Sequence, residues 1–289
     1  MTPVALIVLD LGASAAQDLA VVDPATTVLP ATDLAATRGD GIFETVVTVA
    51  GVPQASEAHL DRFARSARML DLPEPDRALW RRAVTTAAAH LREHPRGAVK
   101  YVMSRGDEAG TGVPTGWALA FVPAARAEIP APLDVVTLDR GYRSDVAQTS
   151  PWLLQGAKTL SYAVNMAAMR EARRRDAQDV IFLSIDGFVL EGPNSTVIAR
   201  FGDRFVTPPV ELGILPGTTQ HDAFAALHRD GRQTQVRPLT AAELTEASAL
   251  WLCSSTRGAA PIAHLDGRTV RVDADATAIM NHALDDRKE

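Results

Sequence analysis

Apolar and polar positions along the chain switch between a period of about two and one of about 3.6 residues, the pattern of a mixed strand-and-helix protein. Residues 4–9 read as a short buried strand, and residues 42–49, rich in β-branched side chains and closed by Gly51, as another. Residues 57–70 put Leu60, Phe63, Ala67 and Leu70 on one helical face with Arg62 beside it, and residues 80–91 predict a second helix. Strand patterns at 98–105 and 117–122 flank a Gly-rich loop at 106–116. The stretch 123–132 mixes Ala, Pro and charge, so it is the expected linker between a smaller domain, 1–122, and a larger one, 133–289. In the second block, strand patterns at 134–138 and 179–184 flank a helix over 159–175. A hairpin signal at Asp186-Gly187 leads through Val189 and Leu190 to Glu191. Strands at 196–200, 204–207 and 249–254, a helix at 217–229 and a last hairpin and helix complete the block. The expected fold class is α/β (α+β) in two domains.

Composition narrows what such a protein can do. A hydrophobic fraction of 46% over 289 residues supports substantial cores, and a net charge of −6 gives no reason to expect nucleic acid or an anionic membrane as partner. The single cysteine, Cys253, rules out an intrachain disulfide and a multi-thiolate metal site, and the histidines are scattered without ligand spacing, so no metal is expected. No apolar run approaches the roughly 20 residues that span a bilayer, and no signal-peptide pattern is found; the expectation is a soluble cytoplasmic protein acting on a small molecule. A serine-hydrolase elbow, a Walker loop and a dinucleotide glycine fingerprint are all missing from the sequence.

The chemistry worth weighing starts at Lys158, placed just before the predicted helix at 159–175. There the helix dipole disfavours an ammonium, so Lys158 is either a solvated surface residue or an amine kept for use. Glu191 follows three apolar residues, and either marks a strand's exit into solvent or is a buried acid. The segment Gly213-Ile214-Leu215-Pro216-Gly217-Thr218-Thr219 brings two hydroxyls to a helix N-terminus, an anion seat or an ordinary cap. Ser254-Ser255-Thr256 is a second hydroxyl-rich turn. An amine, an acid, an arginine and two such turns suit pyridoxal 5′-phosphate, which needs an attaching lysine, an anionic partner for its ring nitrogen and a phosphate cradle.

In the order Arg38-Gly39-Asp40-Gly41-Ile42-Phe43-Glu44, His59-Leu60-Asp61-Arg62 with Ser66-Ala67, Lys158, Glu191-Gly192, Ile214 to Thr219 and Ser255-Thr256, the chain resembles the fold-type IV pyridoxal-phosphate enzymes. These include branched-chain and D-amino acid aminotransferases and 4-amino-4-deoxychorismate lyases. The resemblance implies a Schiff-base role and proton shuttling for Lys158, pairing of Glu191 with the pyridine nitrogen, and phosphate binding by Arg62, Thr218, Thr219, Ser255 and Thr256. It further implies that Tyr162 bonds the cofactor's phenolic oxygen, that Phe43 lines the substrate side, and that the protein is a homodimer. His59 reads as a structural helix residue. Thr196 and Thr218 depart from the family, which often has Asn and Ile at those places.

Within the family, Tyr101-Val102-Met103-Ser104-Arg105-Gly106 resembles the Ser-Arg-Gly segment of the lyases, and Asp107 stands where D-amino acid aminotransferases carry a His of their carboxylate trap. The resemblance therefore implies conversion of aminodeoxychorismate to 4-aminobenzoate and pyruvate, a step of folate biosynthesis, with Arg105 as a candidate for the substrate carboxylate. An aminotransferase of D-amino acids or branched-chain L-amino acids is the alternative, and a non-catalytic cofactor-binding regulator a remote one.

Overall fold

The computed structural model describes residues 1–12, 18–110, 112–124, 127–285 and 287. The chain forms two compact units: Met1–Ala125 with Ala157–Tyr162 and Arg287–Glu289, and Arg126–Gly156 with Ala163–Asp286. Residues 125 and 126 of the expected linker lie outside the described residues. Lys158, expected among residues 133–289, groups by its contacts with the first unit instead. The reason is backbone pairing: Phe43 N donates to Lys158 O (3.1 Å) and Leu160 N to Gly41 O (2.8 Å).

The first unit holds β1 (Thr2–Leu9), β2 (Leu19–Val22), the short α1 (Leu34–Thr37), β3 (Gly41–Val49), β4 (Val52–Pro53), α2 (Ser56–Met69), α3 (Arg77–Ala89), β5 (Arg96–Ser104) and β6 (Thr115–Val122). Its sheet runs in the order β2-β1-β6-β5-β3-β4, every pair antiparallel. Ala50 and Gly51 both take positive φ (47° and 79°), the two-residue turn that lets β3 reverse into β4. Strand alternation then sorts the faces. Ile42, Glu44, Val46, Tyr101 and Met103 are buried on the side that carries α2 and α3, where the Phe63 and Tyr101 rings pack 4.9 Å apart between centroids. Burying each large apolar side chain among them contributes roughly 1.5–3 kcal/mol. The opposite face presents Phe43, Thr45 and Val47 from β3, Ala98, Lys100 and Val102 from β5, and Trp117, Leu119 and Phe121 from β6, all in register. Lys100 is the one charged residue in that set.

The second unit holds β7 (Leu133–Asp139), α4 (Val146–Thr149), α5 (Ala163–Arg174), β8 (Asp179–Leu183), β9 (Thr196–Phe201), β10 (Arg204–Thr207), α6 (Thr218–Arg229), β11 (Gln233–Val236), α7 (Ala241–Glu246), β12 (Ala249–Ser254), β13 (Gly258–Leu265), β14 (Arg268–Thr269) and α8 (Ala274–Asp285). Its sheet has the order β11-β10-β9-β12-β13-β7-β8, with β14 on β13. Phe205 and Trp251 on one face pack with Phe224, Leu227, Met280 and Leu284 of α6 and α8, and the alternate residues Val197, Leu250, Leu252 and Ile262 form the core on the other. Trp251 Nε1 donates to Thr277 Oγ1 (2.8 Å), so α8 is tied to the sheet by a polar bond inside the apolar layer.

Two expected elements differ. The helix predicted over 159–175 begins at Ala163, because residues 158–160 pair with β3 and cannot also be helical. Residues 188–191 form no continuous strand: Val189 N donates to Leu239 O in a loop (2.8 Å), leaving only isolated bridges. Among the described residues no helix is long and apolar enough to cross a membrane.

Candidate active site

Lys158 lies on a strand edge. Thr159 bridges Ile42 in antiparallel register, so Lys158 stands opposite Phe43 and shares its face of the sheet. Its Nζ sits 4.3 Å from the Phe43 ring centre and 5.8 Å from that of Tyr162, and these two rings meet edge to face at 5.3 Å. The quadrupole of an aromatic face attracts an ammonium, so the two rings fix where the half-buried amine points. From α2, Ser66 Oγ accepts the Lys158 backbone N–H at 3.1 Å. Lys158 is thus held by backbone on one side and by rings on the other. The expected influence of a helix dipole falls away: α5 starts at Ala163, and such effects fade within a turn.

Arg62 belongs to a buried cluster on the helix-bearing face of the same sheet. Its Nε donates to Glu44 Oε1 (2.6 Å) and its Nη2 to Glu44 Oε2 (2.8 Å), a bidentate fork. His59 Nδ1 lies 2.8 Å from Glu44 Oε2; an ionised carboxylate only accepts, so Nδ1 carries the hydrogen. Burial alone would raise the Glu44 carboxyl, but the charge and hydrogen bonds of Arg62, helped by His59, outweigh it and hold the group well below the usual carboxylate range. Burial pushes His59 the other way, down, against the pull of Glu44, and favours its neutral form. His59 is a structural helix residue, as the sequence suggests, with the added task of completing this cluster.

Arg105, the expected carboxylate binder, is committed elsewhere. Its Nε and Nη2 donate to Asp40 Oδ2 and Oδ1 (2.7 and 3.3 Å), while Nη2 and Nη1 reach Leu70 O and Asp71 O just past α2 (2.5 and 3.1 Å). Cationic groups at a helix C-terminus satisfy its orphan carbonyls, which accounts for this placement.

The remaining expected residues lie in the second unit. Glu191 is partly buried, and its Oε2 accepts from Leu215 N at 3.1 Å, which ties the acid to the loop preceding α6. Gly217 is the N-cap of α6 and offers no side chain to the first turn of the helix; a Cβ there would collide with Thr196 Oγ1, so the loop packs directly on the start of β9. Thr218 and Thr219 are both buried in the first turn. Thr219 Oγ1 has no hydrogen-bond partner among the described residues, although a buried hydroxyl left alone costs about 1–3 kcal/mol. Ser255 and Thr256 form the turn between β12 and β13, with Thr256 exposed. An uncapped helix start with a buried, unsatisfied hydroxyl is the donor set a phosphate group fits.

Three residues take positions the sequence did not single out. Glu44 appears there only inside a motif, Ser66 only beside Arg62, and Lys100 only as part of a strand. A lysine at an alternating strand position between Ala98 and Val102 is the one signal that could have raised Lys100.

Comparison with known proteins agrees with this chemistry. Residues 41–265 match the family model for amino-transferase class IV. The chain therefore belongs to the aminotransferase class IV family, whose members are fold-type IV pyridoxal-phosphate enzymes. A bifunctional aminodeoxychorismate lyase / D-amino acid transaminase of Mycobacterium tuberculosis is 45% identical over 86% of this chain and 89% of its own. The fold IV-transaminase CpuTA1 from Curtobacterium pusillum superposes with a TM-score of 0.94 at 46% identity, covering 98% of this chain and 99% of that one. A hypothetical aminotransferase from M. tuberculosis, in a form bound to alpha-ketoglutarate and PMP, gives 0.87 at 41% identity, over 96% and 97% of the two chains; its PLP-bound form gives 0.87 at 40%.

Proposed function

We propose that this protein is a pyridoxal-phosphate-dependent 4-amino-4-deoxychorismate lyase, releasing 4-aminobenzoate and pyruvate for folate synthesis in the cytoplasm, and that it works as a homodimer. The observation that carries the reading is the 45% identical relative whose name joins aminodeoxychorismate lyase to D-amino acid transaminase. When bound, pyridoxal phosphate supplies an electrophilic carbon and an electron sink. Lys158 is the residue that attaches it, and its Nζ takes the proton from the ring carbon bearing the substrate nitrogen. Loss of that proton and cleavage of the ether C–O bond leave an aromatic ring, and the departing enolpyruvate gains a proton to become pyruvate. Glu191 would hold the proton on the pyridine nitrogen, and Arg62, Thr218, Thr219, Ser255 and Thr256 the phosphate. Tyr162 and Phe43 would confine the amine of Lys158, whose ring contacts already restrict it.

A D-amino acid aminotransferase is the second reading. It is favoured by the other half of the same relative's name and by the neighbour bound to alpha-ketoglutarate and PMP. Both readings use Lys158, so one assay separates them. The purified holoenzyme is given aminodeoxychorismate without any 2-oxo acid, and 4-aminobenzoate is followed by fluorescence. The lyase forms it; an absolute need for 2-oxoglutarate, with no 4-aminobenzoate, decides for the aminotransferase. Lys158→Ala should lower either activity on the order of 100- to 10,000-fold.

A further inference from the structure

Asp179 opens β8 and is 1% exposed, a costly place for a carboxylate unless a cation pairs with it. Its cation comes from a distant part of the second unit: Arg257 Nη2 donates to Asp179 Oδ2, while Asp179 Oδ1 accepts from Val180 N at 2.8 Å. Arg257 ends the three-residue loop, 255–257, that joins β12 to β13 between the paired residues Ser254 and Gly258. Gly258 takes a positive φ of 77°, which returns the chain into β13. Among the described residues the bond to Asp179 is the one side-chain hydrogen bond that this loop makes. The surroundings place the pair at the end of the unit that carries the anion seat. Cys253 pairs with Thr196, and Thr196 Oγ1 abuts Gly217 at the start of α6. On the other side of Asp179, Val180 O lies 2.9 Å from where a Cβ on Gly192 would stand, beside Glu191.

We propose that the Asp179–Arg257 pair positions the Ser255–Thr256 loop, so that its hydroxyls meet the cofactor's phosphate at the start of α6. The inference rests on the proposed role of Ser255 and Thr256 as phosphate ligands. A short loop with an exposed threonine samples several conformations, and ordering it on binding lowers affinity. Anchoring its last residue to a buried carboxylate removes part of that ordering before the ligand arrives. Asp179 and Arg257 together carry no net charge, so the pair acts through the geometry of the hydroxyls. The competing arrangement is direct contact, because Arg257 Nε is buried without a hydrogen-bond partner among the described residues. The two arrangements predict opposite effects of Asp179. If Arg257 took the phosphate itself, removing the competing carboxylate would tighten phosphate binding; if the pair positions the loop, binding weakens.

The test titrates the full chain, freed of cofactor, with pyridoxal 5′-phosphate and with pyridoxal, which lacks the phosphate, following the change in absorbance. Asp179→Asn and Arg257→Met are each expected to weaken pyridoxal phosphate roughly 10- to 100-fold, the range of a hydrogen bond to a charged group, and to leave pyridoxal unchanged. Arg257→Lys keeps the charge and the single donor that Asp179 uses, and should recover most of the affinity. The 31P resonance of the bound phosphate should move in the two weakened variants and return in Arg257→Lys. Equal weakening of both ligands would reduce the pair to a structural support, and unchanged affinity for pyridoxal phosphate would also overturn the proposal. Tighter pyridoxal phosphate in Asp179→Asn would overturn it in favour of direct contact. Should a single variant fail to fold, Asp179→Asn combined with Arg257→Met leaves no buried unpaired charge and gives the same ratio. Borohydride reduction and peptide mapping test the proposed function separately: absence of a pyridoxyl mass on Lys158 refutes that function, while the ratio of the two affinities reads the pair.

Discussion

The two faces of the first unit's sheet treat charge in opposite ways. On the helix-bearing face Glu44, Arg62 and His59 are buried together, with a bidentate fork and a third hydrogen bond satisfying the carboxylate. On the other face Lys100 has an aromatic ring for company and no acid among the described residues. Strand β3 supplies both settings from successive residues, Glu44 turned to one side and Phe43 to the other. The contrast separates two uses of a charged residue in a core. A cluster whose carboxylate is satisfied on both oxygens fixes geometry and leaves that carboxylate closed to a ligand. A cation left without an internal ion pair costs stability.

The largest effect expected from this contrast is the loss of Glu44. Glu44→Ala leaves the Arg62 guanidinium buried without the carboxylate that binds it on two nitrogens, and breaking a buried pair in that way costs about 3–5 kcal/mol. Urea unfolding of the two proteins measures it, and Glu44→Gln, which keeps the shape and one acceptor, should fall between them. A midpoint unchanged in Glu44→Ala would mean that the cluster contributes no more than a surface ion pair, and the comparison between the faces would collapse.

How far the sequence reveals these faces differs from residue to residue. Alternation along residues 42–49 locates β3, and helical spacing along 57–70 locates α2, because both signals are local. The ordered motifs point to Lys158, Arg62, Glu191 and the loop before α6, and the family assignment follows from them. What stays hidden is pairing between distant segments. Lys158 reads as the herald of a helix because apolar residues follow it, and only the hydrogen bonds to Gly41 and Phe43 make its surroundings a strand edge. Arg105 reads as a candidate for the substrate carboxylate, and nothing nearby in sequence shows that Asp40 and the end of α2 converge on it. Lys100 goes unnoticed for the converse reason: its distinction is the absence of a partner, which no local pattern records.

A smaller effect, of opposite sign, tests the second face. Burial disfavours the charged amine of Lys100, so Lys100→Met should be more stable than wild type, by roughly 0.5–2 kcal/mol, as when a buried polar group is exchanged for one that suits its packing. Thermal melts of the two proteins measure it. A variant less stable than wild type would show that the Lys100 side chain packs the face and that its buried charge costs little.

The smallest effect sharpens the first face and depends on pH. His59 is buried and its pKa lies below the ordinary 6.5, with burial the main cause, so the folded protein keeps it neutral where the unfolded chain takes up a proton. Below pH 6.5 the unfolded state therefore binds more protons, and stability falls as the solution is acidified, by at most about 1.4 kcal/mol per pH unit from this one group. Glu44 has the same sign in a lower window. Its depressed carboxyl contributes fully above its ordinary 4.5 and is lost only as pH drops beneath that. Between pH 6.5 and 5 the two are separable, so His59→Gln should flatten the slope of unfolding free energy there while leaving the steeper acid limb in place. If the slope persists unchanged, the imidazole is charged in the folded protein. The cluster would then be an ion triad with Glu44 shared between two cations, and the Arg62 fork would be weaker than its geometry implies.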